Sequence, residues 1–418
     1  MALDCTSASS HASCTLLLVC LLLLPLCDVS RALEPHHAVA PNPHPHPHIP
    51  SLVAHTPLPL SRSRFSAQAQ LDLSTHCNAS CFHRGEQARV EELTEQLAFE
   101  TLYADGSRTL TAVELDEAEA QEEEEEEGAA VPLVATGRRR VSARSRRHRR
   151  LKRQIYGADG RFNIRGEHFL LDYPFSTAVR ISTGCTGVLV SQRHVLTAAH
   201  CVHDGKDYVK GARKLRVGFL IPPSSLGNVT LPSNKNNNNI INNNNNNAPT
   251  KKPLVRWVRV KRTRVPKGWI QGPQEVSMDF DYALLELRWA HRRPFMRMAV
   301  APQAQDLAGK RIHFSGFDSD RPGELVYRFC PVEDESNDLI YQHCDARPGA
   351  SGSGVYGRVW DGAAKRWERK VIGIFSGHQW LEIDGENRDY NVAVRFTPLK
   401  FAQICYWVHG NQVDCSKD

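Results

Sequence analysis

The chain has 418 residues, with 52 Lys+Arg against 46 Asp+Glu, a formal net charge of only +6 and 41% hydrophobic residues. Much of the basicity sits in one run, residues 138–153, which argues against a uniform nucleic-acid surface. The front third is dominated by Pro, His, Glu and Arg runs that bury little apolar surface. From Gln154 onward aromatic and β-branched residues recur between Gly and Pro, as a packed β-rich domain requires.

Residues 14–27 form an apolar stretch too short to span a bilayer. Ser30 and Ala32 place small residues at the −3 and −1 positions of a cut after Ala32, so residues 1–32 read as a signal peptide. No later segment is apolar enough to span a membrane. Removing residues 1–32 leaves eight of the 12 cysteines: Cys77, Cys81, Cys185, Cys201, Cys330, Cys344, Cys405 and Cys415. An even set in an exported chain predicts disulfides. Asn78-Ala79-Ser80 and Asn228-Val229-Thr230 are glycosylation sequons, with Asn78 and Asn228 as acceptors. These features together predict a secreted, extracellular protein.

Residues 33–153 read as a largely disordered, low-complexity prosegment. His44, His46 and His48 alternate with Pro, as in a solvated tail or a metal-capturing tract. The spacing of Val90, Leu93, Leu97 and Leu102 predicts a short amphipathic helix over 83–103. An acidic run over 122–127 precedes the basic run, which ends Arg150-Leu151-Lys152-Arg153. That ending resembles the recognition motif of furin-like proprotein convertases and implies cleavage after Arg153; exposed flexible chain is a good protease substrate. The alternative for the basic run is a heparin or nucleic-acid patch. Within the second part, residues 234–247 are almost pure Asn and read as a disordered surface insertion.

Three strings carry chemistry. Thr183-Gly184-Cys185 opens one apolar strand, and a second, His194 to Ala198, leads into Ala199-His200-Cys201. A His behind a buried strand is held rigidly, as a general base must be. Cys185 and Cys201 are placed to staple the two strands. Asp281-Tyr282-Ala283-Leu284-Leu285-Glu286-Leu287 leads an Asp into a core strand, with Asp279 as its nearby rival. A buried carboxylate must find a partner, and an imidazole N–H from His200 would serve. Pro348-Gly349-Ala350-Ser351-Gly352-Ser353-Gly354 surrounds a Ser with glycines, which permits a tight turn presenting Oγ and backbone N–H groups together.

In the order His, Asp, Ser, these strings resemble the trypsin-like serine proteases. The resemblance covers nearly all of residues 154–418 and implies an all-β fold: two six-stranded antiparallel barrels followed by a C-terminal helix. It implies His200, Asp281 and Ser351 as catalytic triad, Gly349 and Ser351 as oxyanion-hole donors, and no metal or organic cofactor. Residues 371–377 resemble the strand lining the substrate pocket and residues 391–396 the next pocket wall, which brings in Ser376 and Asn391. Asp345 lies six residues before Ser351, the family's spacing for a pocket-base Asp that selects Arg or Lys; Arg347 stands near enough in sequence to neutralise it. Thr397-Pro398 opens the last helix and Gly410 closes it. Cys330–Cys344 and Cys405–Cys415 are expected as local disulfides, and Cys77 and Cys81 either pair together or tether the prosegment.

The chain departs from the family at the activation latch. The family pairs a new N-terminal amine with the Asp before the nucleophile; here that position is Ala350, and the new terminus would be Gln154. Bacterial glutamyl endopeptidases resemble this arrangement. The expectation is a nucleophile loop built without that ion pair, and a cut that releases an inhibitory or chaperoning prosegment. The partners expected are protein or peptide substrates and a furin-like processing protease. A second function class remains: a catalytically silent binding protein on a protease fold, with the basic strand Arg256, Arg259, Lys261, Arg262, Arg264 and Lys267 facing a sulfated glycan. A lipase is disfavoured, since its Ser sits in a Gly-x-Ser-x-Gly elbow in the order Ser, acid, His.

Overall fold

Short runs rich in Val, Leu, Ile and Thr pair as antiparallel strands, because β-branched and aliphatic side chains pack well on a pleated surface. The computed structural model describes residues 48–77, 90–115, 155–221, 254–270, 277–303, 307–383 and 385–411. The signal stretch, Asn78, Cys81, Arg153, Asn228, the Asn run and Cys415 lie outside the described residues.

The front of the chain supplies β1 (Leu52–Ala54), β2 (Leu58–Leu60), β3 (Ser74–Cys77), α1 (Val90–Leu97), β4 (Phe99–Tyr103), β5 (Arg108–Thr111) and β6 (Val113–Leu115). Then follow β7 (Phe162–Ile164), α2 (Glu167–Leu171), β8 (Ala178–Ile181), β9 (Thr186–Leu189), β10 (His194–Thr197), β11 (Arg216–Ile221), β12 (Leu254–Pro266), a short helical turn α3 (Lys267–Ile270) and β13 (Ala283–Leu287). The last part holds β14 (Arg311–Gly316), β15 (Leu325–Glu335), β16 (Leu339–Gln342), β17 (Gly354–Asp361), β18 (Arg366–Ile383), β19 (Glu386–Arg395) and α4 (Pro398–His409).

Two closed barrels result, as the sequence implied. In the first, β11-β8-β9-β10-β13-β12 pair in that order and β11 also pairs β12. Val179, Leu189, Val195, Leu196, Val217, Phe219 and Leu285 of its strands all have essentially no exposure, packed inside the barrel or against its outer face. In the second, β14-β17-β18-β19-β16-β15 close through β14–β15, over a core including Ile312, Phe314, Ile340, Val355 and Ile372. Helix α4 is capped as expected: Thr397 Oγ1 accepts from the Lys400 N–H at 3.3 Å, and Gly410 at φ +77° closes it. Ala402 and Cys405 face inward, with Phe401, Ile404 and Trp407.

The prosegment is the main correction. Within residues 48–77 and 90–115, β2, β4 and β5 join the first sheet, β3 joins the second, and β1 pairs with β6 in a two-stranded sheet of their own. Strand β4 pairs with β12 and continues the first sheet through β5 and β2, while β3 joins the second beside β18. The compact unit runs Pro47–Asp418, so its edge falls far before Gln154. Among the described residues the helix expected over 83–103 runs Val90–Leu97; Phe99-Glu100-Thr101-Leu102-Tyr103 is a strand former and extends instead. Leu52, Leu97, Phe99, Leu102 and Val113 are buried in the same core as the first barrel. Phe99 meets Trp407 of α4 edge-on at 5.3 Å. Truncating such an aromatic leaves a cavity, so Phe99→Ala should lower the stability of the full chain by about 3–5 kcal/mol in urea unfolding.

Candidate active site

Strand β10 ends at Thr197, and a 3-10 turn, Ala199–Cys201, carries His200 over the barrel mouth. A disulfide joins Cys201 to Cys185 at the entry to β9 (Cα–Cα 6.1 Å), and a second joins Cys330 to Cys344. Closing such a loop is worth roughly 2–4 kcal/mol. The two sulfurs beside His200 are thus spent on each other and offer no thiolate to a metal. Cys77 and Cys405 are also disulfide-bonded; the expected partners Cys81 and Cys415 lie outside the described residues.

Asp281 sits two residues ahead of β13, fully buried. Its carboxylate accepts the His200 backbone N–H at 2.8 Å and His200 Nδ1–H at 2.7 Å. The hydroxyl of Ser376 donates to it as well. The rival Asp279 takes no part in these bonds. Ser376 comes from β18, where the pairing with β19 slips between Phe375 and Gly377. A bulge re-aims a side chain, and here it turns Ser376 toward Asp281. The imidazole is therefore held with the proton on Nδ1, leaving Nε2 as acceptor.

The nucleophile loop depends on two glycines. Gly349 (φ +99°) and Gly352 (φ +85°) adopt left-handed backbone, and a Cβ would lie 2.5 Å from Phe317 O at the first and 2.2 Å from Thr186 O at the second. Strand β9 grips this loop: the Thr186 N–H donates to Ser351 O at 2.9 Å, and its hydroxyl donates to Gly349 O at 2.8 Å while accepting from the Phe317 N–H at 2.9 Å. Ser351 Oγ donates to Ser376 O at 3.0 Å. His200 Nε2 is buried and has no hydrogen-bond partner among the described residues. Catalytic contacts of this kind often tighten only when substrate is present.

The pocket residues are arranged differently from the expectation. Both oxygens of Asp345 are occupied: the Tyr156 and Gly160 N–H groups donate to them at 2.7 and 2.6 Å. Asp345 anchors the segment just beyond the expected cut and is not a free pocket base. Arg347 faces Asp320 instead. Burial, with Asp389 and Asp345 nearby, pushes the Tyr156 phenol far above its ordinary range. Asn391 is fully buried and donates to Cys344 O at 2.7 Å. Ala350 lies wholly within the second core. The loop beneath Gly349 is held by buried charge: Arg161 and Arg328 both bind Asp318, at 2.7 and 2.5 Å. Sequence reading missed this cluster, since Arg161, Asp318 and Arg328 carry no motif. The expected glycan strand is largely spent within the chain: Lys261 and Arg262 bind Glu286, Arg264 binds Trp407 O, and Lys267 binds Glu95.

With this geometry in view, the comparisons are direct. A family profile described as Trypsin matches residues 167–328. The chain belongs to the trypsin-like serine protease family. Serine protease 23 of Bos taurus is 51% identical over 368 residues, covering 88% of this chain and 90% of that protein. Serine protease 23 of Homo sapiens is 50% identical over 402 residues, 95% of this chain and 98% of its own length. Inactive serine protease 35 of Homo sapiens is 42% identical over 394 residues, 88% of this chain and 92% of that one. A solved structure of a Glu endopeptidase in complex with MPD aligns at TM-score 0.42 with 16% identity, over 60% of this chain and 98% of that chain.

Two outcomes follow. Asp345→Ala removes the acceptor of the Tyr156 and Gly160 N–H groups and should cost about 1 kcal/mol of stability per lost hydrogen bond, read as a lower urea midpoint; a pocket-base Asp would change substrate preference with little effect on unfolding. Burial holds His194, His203 and His313 near pH 4, each to about 4, whereas the unfolded imidazole titrates near about 6.5. The unfolded chain then binds more protons between these values, so stability falls as pH drops from about 6.5 toward 4. Unfolding free energies measured across that window should decline steadily.

Proposed function

We propose that the chain is a secreted serine endopeptidase that hydrolyses peptide bonds through an acyl-enzyme. The observation that carries this reading is the fully buried Asp281 carboxylate bonded to His200 Nδ1 and to the His200 backbone, beside a nucleophile loop of the required backbone shape. Ser351 Oγ attacks the scissile carbonyl carbon while its proton passes to His200 Nε2. The tetrahedral oxyanion accepts hydrogen bonds from the N–H groups of Gly349 and Ser351. His200 returns the proton to the departing amine, and Asp281 stabilises the imidazolium and keeps its orientation. Water then repeats the sequence on the acyl-enzyme and frees the acid.

Export is supported by the signal-like leader, the sequons and the disulfides; among the described residues no helix is long and apolar enough to cross a membrane. Cleavage after Arg153 by a furin-like protease would leave Gln154 as a new terminus. Since Ala350 offers no carboxylate, and Asp345 already binds the Tyr156 and Gly160 amides in the uncut chain, the amine of Gln154 carries no structural role in this reading. Engagement of Asp345 argues against a preference for Arg or Lys.

A second reading is a silent binding protein. Ser351 bonds Ser376 O and leaves His200 Nε2 unpartnered, and relatives at 42–45% identity are named inactive. Fluorophosphonate labelling separates the two readings: labelling of Ser351 that is lost in Ser351→Ala is expected of the enzyme, and no labelling under any condition sinks it. In a peptide-library digest Asp281→Asn should lower kcat on the order of 10⁴-fold.

A further inference from the structure

The cleft beside Ser351 already contains a peptide: the chain's own residues 70–77. The Leu71 carbonyl accepts the Gly349 N–H at 3.2 Å and lies 3.4 Å from Ser351 Oγ. It thus takes one of the two donors assigned above to the oxyanion. The Leu71 side chain fills the space left by Gly184, where a Cβ would stand 2.8 Å from Leu71 Cδ2. Two residues on, the Leu73 carbonyl accepts the His378 N–H at 2.9 Å, and Gly377 leaves room for it: a Cβ there would stand 2.3 Å from Leu73 O. Strand β3 then runs parallel to β18, with Ser74 opposite His378, Thr75 opposite Gln379, His76 opposite Trp380 and Cys77 opposite Leu381. Gln379 Nε2 donates to Thr75 Oγ1 at 3.1 Å, and the His76 ring stacks on Trp380. Beneath this cover Ser351 is 2% exposed and His200 not at all.

This contact has the character of strand addition, in which main-chain bonds to a sheet edge give affinity and alternate side chains give selectivity. Its polarity is fixed by the parallel register. A peptide pairing antiparallel with the same edge would cross Ser351 with its residues in the reverse order. The resident segment also leaves the Ser351 proton on Ser376 O and His200 Nε2 without a donor. It is therefore bound in the cleft without the hydrogen bond that would activate the hydroxyl.

Both flanks of the segment are fastened to the fold. Upstream, Ser66 Oγ donates to Asp207 at 2.7 Å, Ser63 Oγ donates to the same carboxylate, and the Lys210 N–H donates to Ala67 O at 2.9 Å. Downstream, β4 is registered on β12 from Phe99 to Tyr103, and Gln403 Nε2 donates to Leu97 O. None of these contacts is broken by a cut after Arg153.

We infer that residues 70–77 are a resident β-strand ligand of the substrate cleft, and that the cleft opens when this strand is displaced from the β18 edge, not when the chain is cut after Arg153. The inference rests on the reading of Ser351 as nucleophile for its functional meaning, but occupancy is testable without it. The competitor that fits is an extended peptide with apolar side chains two residues apart, matching Leu71 and Leu73.

The test uses the full chain cut after Arg153, with Ser351→Cys as an accessibility reporter and iodoacetamide as the probe. Alkylation is expected to be slow in this protein and at least about tenfold faster when Leu71→Gly and Leu73→Gly are added, because two apolar anchors are lost. Gly377→Ala, which drives a methyl into the Leu73 carbonyl, should accelerate alkylation in the same direction without touching the segment itself. Equal alkylation rates with and without these substitutions would overturn the inference. Fluorophosphonate labelling of the Ser351 forms is run in parallel. Faster alkylation accompanied by faster labelling upholds both the resident strand and the hydrolase. Faster alkylation with no labelling upholds the strand and sinks the hydrolase alone.

Discussion

A buried carboxylate without water must be met by donors, and Asp281 is met by three: the backbone and side chain of His200 from the first barrel and the hydroxyl of Ser376 from the second. An unpaired charge at that depth would cost several kcal/mol. The satisfied state therefore exists only when β10, the turn before β13 and the bulge in β18 are all in place. The same requirement ties the two barrels together at one site, because neither alone supplies the full set of donors.

The nucleophile loop obeys a similar logic. It belongs to the second barrel, yet its carbonyls at Gly349 and Ser351 are held by Thr186 from the first. Beneath it, Asp318 is clamped between Arg161 and Arg328. Arg161 lies just past the expected cut, and the ion cluster it joins forms within the uncut chain, with no new terminus. Ala350, fully buried among apolar side chains of the second core, fits that arrangement.

The barrels, the terminal helix and the positions of His200, Asp281 and Ser351 were legible because each is marked locally. Apolar strands precede the His and follow the Asp, glycines bracket the Ser, and Thr397-Pro398 and Gly410 punctuate the helix. Asp345 was misleading, since spacing to Ser351 says nothing about which groups reach its oxygens. The front of the chain was harder to read. Runs of Pro, His, Glu and Arg dominate its composition, while Leu52, Leu97, Phe99, Leu102 and Val113 are scattered among them; Phe99 and Leu102 pair with β12, more than a hundred residues away, and Leu52 and Val113 lie on the distant pair β1–β6. Such non-local pairing leaves no periodic trace. The docking of Leu71 and Leu73 depends on vacancies at Gly184 and Gly377, which become visible only in three dimensions.

Strand β12 gives the first barrel an unusual tolerance. Ile221, the last residue of β11, is directly opposite Leu254, the first of β12. The chain therefore leaves the barrel and returns to it at neighbouring points, whatever lies between. Closing a longer loop between fixed ends costs only about 0.6 kcal/mol per doubling of its length. Residues 222–253, the Asn run among them, can thus lengthen or shorten while the β11–β12 register stays unchanged. The hairpin end works as an expansion joint, where polymer can be added without shifting a single β11–β12 partner.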